Sequence, residues 1–254
     1  MTYTKAELSE LLHLFLDIGE EINAAGGEIY RVEDTLSRLG AAYGAERTDV
    51  FAITSSLEVT MVFPGEIELT RTRRLRGGGK TDFVRLEAFN ALSRRCCAHP
   101  IPANELRASI DECRSNRSPL PLYIGSALAG GSFAVFFGGG LLDGVVAALF
   151  GLLICFLQER LPRLCPNSVL VYFLAALVTG FGVCLLSLAI GPLRPDKVMI
   201  GDIMLLIPGI ALTTAIRNIL VGDTISGILK MTESLVYAVA LAGGFMIAIG
   251  IVGV

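Results

Sequence analysis

Between Asp202 and Asp223 an otherwise apolar run carries Pro208, Gly209, Thr213, Thr214, Arg217 and Asn218. Proline supplies no backbone N–H and glycine leaves the backbone uncovered, so a helix through this stretch must kink or unwind. Freed amides and carbonyls beside two hydroxyls, a carboxamide and a guanidinium can hold a small polar solute, and the guanidinium suits a carboxylate. Asp143, Asp202 and Asp223, in the same half of the chain, are candidates for carrying protons. Ionisable groups inside apolar spans are costly and mark solute or ion pathways. Interfacial anchoring is the other reading, since Asp143 and Asp202 fall near the outer ends of their segments and Arg217 and Asp223 near the inner end.

Covalent chemistry is not supported by the same residues. Neither His13 nor His99 lies in a candidate membrane span, so no Ser–His or Cys–His arrangement is suggested there and no catalytic residue is assigned. An aspartyl intramembrane protease needs a G-x-G-D motif. Here Met199-Ile200-Gly201-Asp202 lacks the first glycine, and Asp143 follows Leu142 rather than a tyrosine. The stretch Gly77-Gly78-Gly79-Lys80-Thr81 has the look of a phosphate loop, but Arg74 stands where G-x-x-x-x-G-K-[ST] requires glycine. A solvated basic loop or contact with an anion or lipid headgroup fits it better. The cysteines show no CxxC spacing, and no Cys/His cluster suggests a metal, so the reading is no metal, no cofactor and no enzyme. A second polar set, Glu28, Tyr30, Arg31 and Glu33, flanks an apolar helical stripe and reads as either a solvated face or a site.

The elements that must position these residues divide sharply in composition. Of the 45 Asp, Glu, Lys and Arg residues, 33 lie in residues 1–118, while residues 119–254 hold 12 of them and 19 of the 28 glycines. With 53% hydrophobic residues and a mean hydropathy of +0.63, the chain is too apolar for a single soluble domain, and its net charge of −3 argues against nucleic-acid binding. The expected organisation is therefore a cytosolic α+β domain over 1–118 followed by a transmembrane helical domain over 119–254.

In the first domain, Leu8, Leu11, Phe15, Ile18 and Ile22, then Ile29, Val32, Leu36, Leu39 and Tyr43, recur at helical spacing on either side of Gly26-Gly27. From Leu57 to Phe63 the period becomes two, and Pro64-Gly65 supplies a turn into Ile67 and Leu69. That pattern predicts a hairpin, with a further strand at Val50–Ile53. Helices are expected over about 82–97 and 103–116. In the second domain about five spans fit, at 120–137, 141–157, 168–190, 198–221 and 233–252, each near the ~20 residues that a bilayer core requires. Basic residues favour the N-terminus in the cytoplasm and the C-terminus outside, because Arg114, Arg117, Arg160, Arg163, Arg217 and Lys230 fall on one side against Arg194 and Lys197.

Two stretches carry a resemblance. Gly26-Gly27-Glu28-Ile29-Tyr30-Arg31-Val32-Glu33-Asp34-Thr35-Leu36 is the first. The second runs from Leu205-Leu206-Ile207-Pro208-Gly209 through Thr213-Thr214-Ala215-Ile216-Arg217-Asn218 to Gly222-Asp223. Together with the layout, they make the chain resemble the larger subunit of the two-component branch of the threonine/serine exporter family, with departures at Thr214 and Asn218. The resemblance implies a bacterial inner-membrane, multi-pass subunit of a secondary transporter. It would export small hydrophilic metabolites, either threonine- or serine-type amino acids or small organic acids such as dicarboxylates. It further implies a smaller membrane subunit of the same family as partner. A membrane-anchored sensor or scaffold without transport is the alternative.

Overall fold

The computed structural model describes residues 4–75, 81–115 and 118–253. The glycine-rich basic loop discussed above, apart from Thr81, and Arg117 lie outside the described residues. The chain divides into two compact units. One holds the N-terminal elements and also Ile210–Met231; the other holds the helices that follow Arg117 as far as Gly209, and the stretch from Thr232 onward.

The first unit begins with α1 (Lys5–Ala24), whose N-cap Thr4 and N3 residue Glu7 form a reciprocal capping box. The predicted apolar stripe is fully buried: Leu8, Leu11, Phe15, Ile18 and Ile22 sit in one core with Val32, Leu36 and Leu39 of α2 (Ile29–Ala42). Gly26, at φ 92°, makes the turn between the two helices that L side chains resist. Strands β1 (Arg47–Ile53), β2 (Ser56–Phe63) and β3 (Ile67–Arg74) form an antiparallel sheet in the order 1-2-3. The alternation in β2 buries Leu57, Val59, Met61 and Phe63 and turns Glu58 outward. Helices α3 (Phe83–Ala98) and α4 (Ala103–Arg114) complete the core through Phe89, Cys96, Leu106 and Ile110. Acidic residues of α1 are gripped from three later elements. Asp17 and Glu20 pair with Arg73 of β3, and Glu21 pairs with Arg85 of α3 and, at 2.7 Å, with Arg114 of α4.

The second unit contains α5 (Leu120–Phe136), α6 (Leu141–Leu164), α7 (Ser168–Ala189) and α8 (Pro195–Leu206). After it come α9 (Gly209–Leu220) and α10 (Thr224–Val252). Helix α5 packs on α6 and α8 through glycine. A Cβ on Gly131 would lie 2.8 Å from the Gly144 carbonyl oxygen, and one on Gly201 would lie 2.5 Å from that of Gly130. Such contacts let helix backbones approach where no hydrophobic force draws them together in lipid.

Among the described residues three helices, α6, α7 and α10, are long and apolar enough to cross a membrane, and α8 with α9 qualifies only as one bent pair. Helix α5 is a shorter apolar helix of 17 residues, so by length and composition the described residues support three spans, or four counting the bent pair, of the about five expected. Helix α10 also starts well before the expected span at 233, because Asp223 caps it and opens a helical turn there.

Candidate functional site

The predicted interruption is present: α8 ends at Leu206, α9 begins at Gly209, and Ile207-Pro208 lies between. Pro208 cannot donate, and the Gly209 N–H turns back to the Ile207 carbonyl at 2.8 Å. Beyond the break, the Thr214 hydroxyl donates to the Ile210 carbonyl at 2.8 Å, while Thr213 is exposed.

The three aspartates differ in kind. Asp143 is buried at the N-terminus of α6 and is saturated with hydrogen bonds. It accepts from the Gly140 N–H at 2.7 Å, from the Arg194 N–H at 2.9 Å and from Arg194 Nε at 3.1 Å. That is the work of a helix cap and a loop tether. Asp202 is fully buried on α8, and neither carboxylate oxygen has a hydrogen-bond partner. It lies against Gly130, where a Cβ would sit 3.5 Å from its Oδ1. Gly130 is six residues from the end of α5, which is about 9 Å of helix, so Asp202 is deeper than its place near a segment end suggests. An ionised carboxylate left unpaired in such surroundings costs several kcal/mol, so a proton or a cation must neutralise it.

Asp223 belongs to the first unit and shapes the turn between α9 and α10. Its N–H bonds the Asn218 carbonyl at 2.9 Å, and the N–H of Gly222, at φ 96°, bonds the Ile219 carbonyl at 3.2 Å; together these make a Schellman close. Asp223 Oδ1 then accepts from the Ser226 N–H at 3.3 Å as the N-cap of α10, while its Oδ2 is buried and unpartnered. Gly227 brings the two helices together, since a Cβ there would meet the Ala215 carbonyl oxygen at 2.9 Å.

This turn meets the other polar set. Arg217 on α9 pairs with Glu28, the N-cap residue of α2, at 2.6 Å. The Tyr30 hydroxyl donates to Glu28, which raises its phenol above the ordinary range, with burial adding and the charges of Arg217 and Arg31 opposing. Glu33 Oε1 accepts from the Ala52 N–H at 2.9 Å. Burial pushes the Glu33 carboxyl up, the Ala52 bond pulls it down, and the Asp223 charge raises it again. Glu28, Tyr30, Glu33, Arg217 and Asp223 are therefore brought together, Arg31 is exposed beside Tyr30, and Asn218 is buried at the turn. Ser226 joins them as a fully buried hydroxyl without a partner. It was not singled out from the sequence, where its only signal is its place three residues after a helix-capping aspartate.

The raised Glu33 carboxyl has a testable sign. Its preference for the proton in the folded state supports the fold below the ordinary Glu range, and that support is lost as pH rises through the raised folded value. Glu33→Gln keeps an acceptor for Ala52 and removes the titration. In thermal melts of the detergent-solubilised protein, the variant is expected to match wild type near about pH 4 and to be the more stable near about pH 7. Equal melting at both pH values would show that the Glu33 charge costs the fold nothing.

No curated protein and no solved structure matches the chain. The ThrE family model, described as a threonine/serine exporter, matches residues 13–252 and so takes in both the α2 motif and the α8–α9 break. The chain belongs to the threonine/serine exporter family.

Proposed function

We propose that the protein is a subunit of a secondary exporter of small hydrophilic metabolites that works by alternating access in the bacterial inner membrane. The family match over nearly the whole chain carries this reading. The interrupted helix pair at Ile207-Pro208 and the unpaired Asp202 support it, because a broken span and a buried ionisable group are what solute and proton movement require. In this reading the shorter apolar helix α5 crosses as well, so five crossings leave the N-terminus cytoplasmic and the C-terminus external. A smaller membrane protein of the same family completes the transporter. The Pro208–Asn218 segment lines the solute path, with Thr213 and Thr214 as hydroxyl ligands, and Asp202 carries the coupling proton. Asp143, held by Gly140 and Arg194, tethers the loop before α8.

Solute charge decides the energetics. A membrane potential of about 100 mV, negative inside, contributes about 2.3 kcal/mol per charge, so a dicarboxylate dianion leaves downhill while zwitterionic threonine gains nothing and needs proton exchange. Vesicles holding the protein and its partner, loaded with labelled threonine or succinate, test this with and without an imposed potential or pH gradient. Efflux above that of empty vesicles is expected, and its absence for every solute overturns the exporter reading.

A further inference from the structure

Within the second unit, α7 and the apolar part of α10 pack side by side. A Cβ on Gly244 would sit 2.6 Å from the Phe173 carbonyl oxygen, and one on Gly180 would sit 2.8 Å from the Ala248 methyl. Nearer the start of both apolar runs they leave an open groove of about 350 Å³, lined by Val169 of α7 and by Thr232, Leu235, Val236, Val239 and Ala240 of α10. Leu235, Val236 and Val239 are exposed. From Thr232 to Ala240 the groove follows α10 for about 12 Å. The residues next to its lining are polar. The Tyr237 hydroxyl donates to Glu233, Ser168 is within hydrogen-bonding reach of the same phenol, and the Tyr172 and Tyr237 rings stack 4.8 Å apart. Ser168 and Tyr237 adjoin the lining residues Val169 and Val236, so the polar cluster and the groove share the same helical turns. Glu233 is exposed, and among the described residues no cation pairs with it.

Size and charge together name an occupant. One turn of helix with its side chains is about 10–12 Å across and 5.4 Å tall, which fills on the order of 400–600 Å³. The groove is smaller than that, so it takes an unbranched apolar chain rather than a helix. Lipid chains are as apolar as the residues around them, so contact with the chain distinguishes no lipid from another. Selection falls to the polar end, at the level where tyrosines sit in a membrane interface. An unpaired carboxylate there repels a phospholipid of net negative charge and attracts an ammonium. A primary ammonium also has three N–H donors for the Glu233 carboxylate and the adjoining Tyr237 oxygen, whereas a quaternary ammonium has none. We propose that the groove between α7 and α10 is a binding site for an ethanolamine phospholipid, with one acyl chain along Val236 and Val239 and the headgroup ammonium on Glu233. The site does not depend on which solute the protein moves.

Native mass spectrometry of the full-length protein in detergent provides the test, with equal amounts of phosphatidylethanolamine, phosphatidylcholine and phosphatidylglycerol carrying the same chains. Phosphatidylethanolamine is expected to be retained in preference to either of the others by about five-fold, the size of an exposed charge pair. Glu233→Gln keeps an acceptor for Tyr237 and removes the charge, and it is expected to bring the three lipids level. Ala240→Phe fills the groove and is expected to reduce retention of all three. Val239→Phe, at an exposed position, carries that arm if Ala240→Phe does not fold. Equal retention of the three lipids by wild type overturns the site, as does an undiminished preference in Glu233→Gln or unchanged retention in the filled variant. If the filled variant keeps its lipid but no longer co-purifies with the smaller membrane subunit, the groove belongs to a protein and the lipid site is overturned.

Discussion

Asp202→Asn is expected to abolish pH-gradient-driven efflux while leaving the protein folded. Asparagine has nearly the shape of aspartate, so the packing against Gly130 survives. What disappears is the ability to take and release a proton. Among the described residues of α5, α6 and α7, the helices packed on α8, no uncommitted carboxylate is present to substitute for it. Helices α5 and α7 carry no Asp, Glu, Lys or Arg, and on α6 Asp143 is committed to Arg194 while Glu159 accepts the Tyr123 hydroxyl. Loss of a positioned proton-transfer group typically costs about 100-fold or more in rate. Vesicles under an imposed pH gradient measure it, with a sodium gradient as the second arm. Wild-type efflux from Asp202→Asn under the pH gradient would show that Asp202 carries no coupling proton. If the sodium gradient drives wild-type efflux and Asp202→Asn loses it, the neutralising cation is sodium and not a proton.

The second large effect is structural. Gly201→Leu is expected to prevent α5 and α8 from packing. Even the first carbon added there would sit 2.5 Å from the Gly130 carbonyl oxygen, 2.9 Å from the Ala134 methyl and 3.0 Å from the Ala134 nitrogen. None of these is the free end of a flexible side chain, so the helices themselves must move apart. Overpacking of this kind costs about 1–3 kcal/mol, and more where backbone is the obstacle. The variant should therefore melt far below wild type in detergent, or fail to accumulate. Gly125→Ala is the control, because a Cβ at Gly125 on the same α5 meets nothing within 4 Å. It should melt like wild type or up to about 1 kcal/mol higher, from helix propensity. Wild-type melting of Gly201→Leu would mean that the contact between α5 and α8 contributes nothing.

Local patterns were legible in the sequence wherever burial imposes a period. Leu57 to Phe63 alternate because one face of β2 meets the core, and Leu8 to Ile22 repeat at three and four because α1 is buried along one stripe and beyond it. The break at Pro208 was legible because a missing N–H acts through its own residue. The span count was less so: hydropathy marks apolar length, but α5 is capped short and α8 and α9 separate, and neither fact has a hydropathy signature. Asp143 and Asp202 looked alike as charges in apolar runs. A closer reading of Gly140 and Asp143 as N-cap and N3 would have helped to separate them, since that spacing gives the carboxylate a local donor in the Gly140 N–H. The pairing of Glu28 with Arg217 had no such signal. Polar partners far apart in sequence leave no periodicity, and only the fold reveals that the α2 motif and the α9–α10 turn are one place.

The grip of α1 on Arg73, Arg85 and Arg114 has a consequence in time. Every residue of the first unit's hydrophobic core has been synthesised once Ile110 is made, and the ionic contacts of α1 are complete with Arg114. Ile210–Met231, which belongs to the same compact unit, follows only after about a hundred further residues, which is several seconds to tens of seconds of synthesis. During that interval Glu28 and Glu33 stand in water without Arg217 and Asp223. An apolar docking face would be an aggregation hazard for as long as it waited. An acidic one is at home in solvent, and it is ready for its arginine when the late segment arrives.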